Sequence, residues 1–76
     1  MTERYTIETA VYRDGESQGT ATIGHRDGEW EAHALANNYL AALLVQGGEA
    51  TYSKPHDEYR VAMPDGVVEY VRVRKH

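Results

Sequence analysis

The feature that most constrains the fold is one long helical segment over residues 28–46, which the other predicted elements flank on both sides. The segment is rich in alanine and leucine, contains no proline and has a single β-branched residue. Glu29 and Glu31 stand in its first turn, where acidic side chains oppose the positive end of the helix dipole. Asp27 is placed to cap the start, and Gly47 follows the last turn, where a glycine commonly ends a helix. The rest of the chain must therefore build its core against this helix.

Apolar residues occupy two sides of the predicted helix. Spacing at about 100° per residue gives a core stripe made of Ala32, Leu35, Ala36, Tyr39, Leu40, Leu43 and Leu44. The opposite side carries a second set, here called the outer row, which consists of Trp30, Ala34, Ala41 and Val45. A helix that is apolar on both sides is usually covered on both sides, and 76 residues leave little chain for the second cover. We predict that the outer row meets a partner or a second copy; the alternative is a solvated row of alanines with Trp30 folded over the helix start.

Alternating patterns predict five strands, at residues 4–13, 17–25, 49–53, 59–63 and 67–74. Asp14-Gly15 and Pro64-Asp65-Gly66 supply tight hairpin turns. In the second strand Ala21 and Ile23 are the expected inward residues, and Gly19 and Gly24 either weaken the strand or mark bulges. The order ββαβββ predicts an α+β fold, a single domain over residues 1–76 in which an antiparallel sheet carries one central helix across one face.

In the last strand, the alternation of apolar residues assigns a charged side chain to the core face. Its alternation places Glu69 on the same face as Val67, Val71 and Val73. Either Glu69 lies at an open end of the core, or a bulge shifts the register. The pattern leaves both alternatives open.

The amino-acid composition indicates the cellular compartment and the class of partner that we expect. The chain has no cysteine, no apolar signal-peptide core at its start and no apolar run near the ~20 residues that span a bilayer, so we expect a cytoplasmic protein without a membrane partner. The net charge is −4, and residues 1–31 hold seven acidic residues against three arginines. This balance argues against a general nucleic-acid binder, whose affinity depends on a positive surface.

Catalytic and ligand-binding patterns are weak in this sequence. Ser17 and Ser53 are the only serines, and the glycines match neither a dinucleotide fingerprint nor a phosphate loop. Possible metal ligands are His25, the Glu29 and His33 pair, and the run 56–58 (His-Asp-Glu), each explained more simply as a boundary or loop residue. We expect no enzyme activity, no cofactor and no metal.

Two surfaces remain as functional hypotheses. The first is a small protein-interaction module, an inhibitor or accessory protein such as phages and mobile elements often encode. It would bind another protein or itself through the outer row, through the acidic first hairpin at Glu8, Asp14 and Glu16, or through both. The alternative is a nucleic-acid-binding face on the C-terminal strands, formed by Arg60, Tyr70, Arg72, Arg74 and Lys75. A small enzyme or metal-binding protein is the third alternative.

Overall fold

The computed structural model describes residues 4–76 and has the predicted α+β architecture, a five-stranded antiparallel sheet with one helix packed across it. The elements are β1 (Tyr5–Arg13), β2 (Glu16–Arg26), α1 (Glu29–Val45), β3 (Glu49–Ser53), a 3-10 turn (Lys54–His56), β4 (Glu58–Ala62) and β5 (Val67–Lys75). The strand order is β2-β1-β5-β4-β3. Because β5 pairs with β1, the two hairpins join into one sheet, and α1 connects its two opposite edges.

The β1–β2 hairpin forms as its turn residues require. Asp14 and Gly15 both have positive φ angles, 53° and 81°, as a tight hairpin turn demands. The pairing of the two strands shifts twice, between Ile7 and Glu8 and between Val11 and Tyr12. The extra residues on β2 lie next to Gly24 and Gly19, so of the two roles predicted for these glycines the structure shows that of marking bulges.

The start of α1 differs from the prediction. Gly28 is the N-cap residue and no side chain caps the first turn, so the expected role of Asp27 is wrong. The amides of the first turn are instead left next to Glu29 and Glu31. At the other end Gly47 adopts a positive φ, and a Cβ on Gly48 would stand 2.7 Å from Cγ1 of Val61. The second glycine therefore lets the chain pass close to the core.

The core lies between α1 and one face of the sheet. Its buried apolar side chains are Tyr5, Ile7, Ala32, Ala36, Leu40, Leu43, Val61, Val71 and Val73. Leu35, Tyr39 and Ile23 pack against them, as the patterns predicted. Two expectations are wrong: Leu44 is 47% exposed, and Ala21 is exposed on β2. Leu44 lies roughly 90° around the helix axis from the buried residues of α1, and Ala21 lies on the edge strand β2.

Glu69 lies inside the core, and the strand that carries it has no bulge. The register between β1 and β5 runs without a shift, and Glu69 is only 7% exposed on the helix-facing side. The Thr9 hydroxyl donates a hydrogen bond to Oε2 of Glu69 at 2.7 Å, and the Tyr39 hydroxyl of α1 donates to the same oxygen. The conflict in the sequence is thus resolved by a polar triad, Thr9, Glu69 and Tyr39, which joins the helix to two central strands.

The Tyr39 hydroxyl should make folding sensitive to alkaline pH. Burial, together with the hydrogen bond and the negative charge of Glu69, raises the pKa of Tyr39 above its ordinary value of 10.0. A group whose pKa is higher in the folded state contributes stability that is present below the unfolded pKa and is lost as the pH rises through the folded pKa. We expect the free energy of unfolding in urea to fall as the pH rises above about 10, with a shallower fall in Tyr39→Phe.

A second tyrosine serves as the reference for this titration. The hydrogen bond to Asp57 raises the pKa of the exposed Tyr52, so Tyr52→Phe must be measured in parallel. The alkaline slope assigned to Tyr39 would be refuted if Tyr39→Phe declined as steeply as the unmutated protein while Tyr52→Phe alone removed the decline.

Candidate functional site

The outer row of α1 is exposed along its whole length, on the side of the helix that faces away from the sheet. Trp30 is 83% exposed and Val45 is 88% exposed, at opposite ends of the helix. Ala34 and Ala41 lie between them and are also exposed, and Leu44 borders the row. The structure therefore brings all four predicted residues onto one surface, and adds Leu44 to it.

This surface is also free of formal charge over most of its length. From residue 32 to residue 46 the sequence contains no Asp, Glu, Lys or Arg, and the polar residues exposed on α1 there are Asn37 and Asn38. The solvent face of an ordinary surface helix carries charged side chains. Exposure of a long uncharged face with a tryptophan at one end is typical of a surface that binds another protein.

A shallow hollow lies beside Trp30. It has a volume of about 340 Å³ and is lined by Arg26, Trp30, Glu31, Ala34, Leu35 and Asn38. Its apolar lining comes from Trp30, Ala34 and Leu35, and the other three residues make the rest of the lining polar. The hollow is open to solvent and is suited to an aliphatic side chain from another molecule.

The opposite face of the sheet, here called the sheet face, is concave and forms a second candidate surface. Its cavity of about 650 Å³ is lined by residues of β1, β2, β4 and β5. The rings of Tyr12 and Tyr70 meet edge to face in it, with centroids 5.6 Å apart. Arg60 and Arg72 line the same cavity, so three of the five residues predicted for nucleic-acid binding come together here.

Ion pairs reduce the positive charge of the sheet face. Nη1 of Arg74 lies 3.1 Å from Oε1 of Glu8, and Nη2 of Arg72 lies 3.4 Å from Oε1 of Glu58. Within residues 4–76, Arg60 is the arginine of this face that makes no ion pair. The arginines are therefore interleaved with glutamates from neighbouring strands, a pattern that also stabilises an exposed sheet.

Lys75 does not belong to the sheet face. Side chains alternate along β5, and its register with β1 is unbroken, so Lys75 shares the helix-facing side with Val71 and Val73. Its grouping with Tyr70, Arg72 and Arg74 is therefore wrong.

The predicted acidic surface is divided by the fold. Glu8 is half-buried on the sheet face and paired with Arg74, and Asp14 borders the same cavity at the hairpin turn. Glu16 is exposed beyond that turn, at the start of β2. The outer row faces the other way, with the sheet between the two surfaces. One partner of ordinary size would contact either the outer row or these acids.

His25 and His33 contact side chains that belong to the fold. Nε2 of His33 lies 3.9 Å from Oε1 of Glu29 and 3.8 Å from Oδ2 of Asp57, and His56 is exposed in the 3-10 turn. Nδ1 of His25 is hydrogen-bonded at 2.9 Å to the Thr6 hydroxyl, which also contacts the ring of His76. In the part of the chain that the structure describes, no three His, Asp or Glu side chains form a group that could hold a metal ion.

The Thr6 contacts are a feature that the sequence pattern did not reveal. Alternation along β1 places Thr6 on the sheet face, where a polar residue is predicted to be exposed. In the structure Thr6 is only 4% exposed. The two histidines that cover it come from positions 19 and 70 residues away. A pattern within one strand carries no information about such distant neighbours.

Comparison with protein-family models, with curated proteins and with solved structures found no match to this chain. Over residues 4–76, no helix is long and apolar enough to cross a membrane.

Proposed function

We propose that this chain is a small non-enzymatic protein-interaction module that binds through the outer row of α1. One observation carries the proposal: the largest exposed apolar side chains of the helix, Trp30, Leu44 and Val45, lie on a face that has no charge from residue 32 to residue 46. Such a face gains nothing from solvent contact and loses no charge hydration when it is covered.

Trp30 is the expected centre of the binding energy. Tryptophan is among the residues that dominate protein interfaces, because one side chain buries a large apolar area with little loss of conformational freedom. Covering it removes roughly 200 Å² from water, which corresponds to about 5 kcal/mol before the costs of association. The two alanines beside it permit close approach of a partner's backbone or side chains.

The proposal is tested with two adjacent alanines of α1. Ala41 belongs to the outer row, whereas Ala42 is exposed on the flank of the same helix, so glutamate has the same helix propensity at both positions. We expect proteins captured from the source cell by the unmutated chain to be retained by Ala42→Glu and reduced at least tenfold by Ala41→Glu. Equal thermal unfolding of the two variants would show that both remain folded. Equal capture by both variants would contradict binding through the outer row.

The sheet face supports a second, lower-ranked proposal, binding of single-stranded nucleic acid. The supporting observation is the cavity in which Tyr70 lies beside Arg60, because an aromatic ring can stack on a base and a free arginine can hold a phosphate. Glu8 and Glu58 argue against nucleic-acid binding, because they place negative charge among the arginines of the sheet face. A gel shift with short DNA and RNA at low salt decides the matter: absence of a complex for the unmutated chain removes this proposal.

A further inference from the structure

We infer that the partner of the outer row is a second copy of this chain, with the two α1 helices packed antiparallel about a two-fold axis that passes between Asn37 and Asn38. This inference rests on the proposed function and specifies the partner of the same surface.

The spacing of the outer row is symmetric about one point. The midpoint between Trp30 and Val45 and the midpoint between Ala34 and Ala41 both fall between Asn37 and Asn38. In a two-fold antiparallel pair, residues equally far from the axis on opposite sides of it face each other across the interface. Trp30 then faces the partner's Val45, and Ala34 faces the partner's Ala41. The outer row is therefore self-complementary under a two-fold axis, as packing against a second copy requires.

The sizes of the side chains fit this arrangement. Near the axis the row has alanines, and small side chains let two helix axes approach to the lower part of the usual range of about 8–10 Å. At each end a large side chain meets a recess, since the hollow bounded by Trp30, Ala34 and Leu35 lies where Val45 of the partner subunit would enter. The same contact occurs twice, because the two-fold axis repeats it at the other end.

The polar residues at the axis can satisfy each other. Asn37 and Asn38 lie on opposite flanks of the row, so Asn37 approaches the partner's Asn37 and Asn38 approaches the partner's Asn38. Each amide has both donors and an acceptor, so the two pairs can hydrogen-bond across the interface. Buried amides at one point of a helix pair also fix its register and orientation. Neighbouring helices aligned antiparallel place opposite ends of their dipoles together, and no charged side chain between residues 32 and 46 must be desolvated.

The available area sets the expected strength. α1 has 17 residues, a length of about 25 Å. The two Trp30 side chains remove roughly 300–500 Å² from water, and the two rows together reach on the order of 1,000 Å², near the lower limit for specific interfaces. We therefore expect a dimer that forms at protein concentrations on the order of 10–100 μM and dissociates on dilution.

Cysteine cross-linking tests both the partner and the register, because the natural chain has no cysteine. Two copies of Asn37→Cys place their sulfurs almost opposite each other, offset by about 1.5 Å along the helices, and should form a disulfide dimer under mild oxidation. Two copies of Ala34→Cys are offset by about 10 Å and should not. An equimolar mixture of Ala34→Cys and Ala41→Cys should cross-link into a heterodimer at least tenfold faster than either variant alone.

Two results would overturn the inference. Cross-linking of Ala34→Cys alone, as fast as in the mixture, would show a parallel pair or another register. Cross-linking of Asn37→Cys no faster than Ala42→Cys, together with sedimentation of the unmutated chain as a monomer at about 1 mM, would exclude a second copy. The capture experiment with Ala41→Glu and Ala42→Glu would then decide separately whether the outer row binds a different protein.

Discussion

Glu69→Leu is expected to lower the free energy of unfolding by about 3 kcal/mol. The substitution replaces the carboxylate with an apolar side chain of similar size, and it removes the acceptor that Thr9 and Tyr39 share. Two hydroxyl donors are then left at a site where Glu69 itself is only 7% exposed, and each buried donor without a partner costs on the order of 1–3 kcal/mol. Urea unfolding at neutral pH, followed by circular dichroism, measures the loss.

A triple variant separates the loss of hydrogen bonds from the loss of packing. In Thr9→Val, Tyr39→Phe, Glu69→Leu the donors are removed together with the acceptor, and replacement of a whole buried polar cluster by apolar groups is often close to neutral. We expect this variant to regain most of the stability that Glu69→Leu loses. If the triple variant were less stable than Glu69→Leu, the triad would not act as one hydrogen-bonded unit.

Ile7→Ala is expected to lower the free energy of unfolding by about 3–4 kcal/mol. Ile7 is fully buried on the inner strand β1, which is paired with β2 on one side and β5 on the other. Truncation leaves a cavity that the paired strands cannot close, and a domain of this size has a total stability of roughly 4–11 kcal/mol. The variant should therefore be close to unfolding, with a large reduction in the midpoint of urea unfolding.

Val11→Ala provides the matched control for this prediction. It lies on the same strand and on the same face as Ile7 but is only half-buried, so its truncation should cost about 1 kcal/mol. Equal losses at the two positions would mean that the core extends along the whole hairpin.

The residues that stabilise the fold are different from those proposed to bind a partner. The core stripe of α1 and the triad stabilise the helix on the sheet, whereas Trp30, Ala34, Ala41 and Val45 are exposed and are not among the side chains that form the core or pack against it. Substitutions in the outer row should therefore leave the stability of the monomer within about 0.5 kcal/mol. That independence is what allows association to be tested without unfolding the protein.

The sequence by itself determined the local structure. Asp14-Gly15 required a tight turn because both residues tolerate positive φ, and the alanine- and leucine-rich run before Gly47 required a helix. The helical period then separated the core stripe from the outer row, with one error at Leu44, because a residue's position around a helix axis follows directly from its number. The order ββαβββ and the single helix across one face followed from these local rules.

Only the tertiary structure decided what each face meets. The pairing of β5 with β1 set the sheet order, brought Thr9 to Glu69 and placed Glu8 beside Arg74. The pairing of β1 with β2 likewise brings His25 over Thr6, although the two residues are 19 positions apart in the sequence. Periodicity along a chain shows which residues share a face. The neighbours opposite that face come from distant segments, and their identity depends on strand pairing and on the limited area that one 17-residue helix can cover.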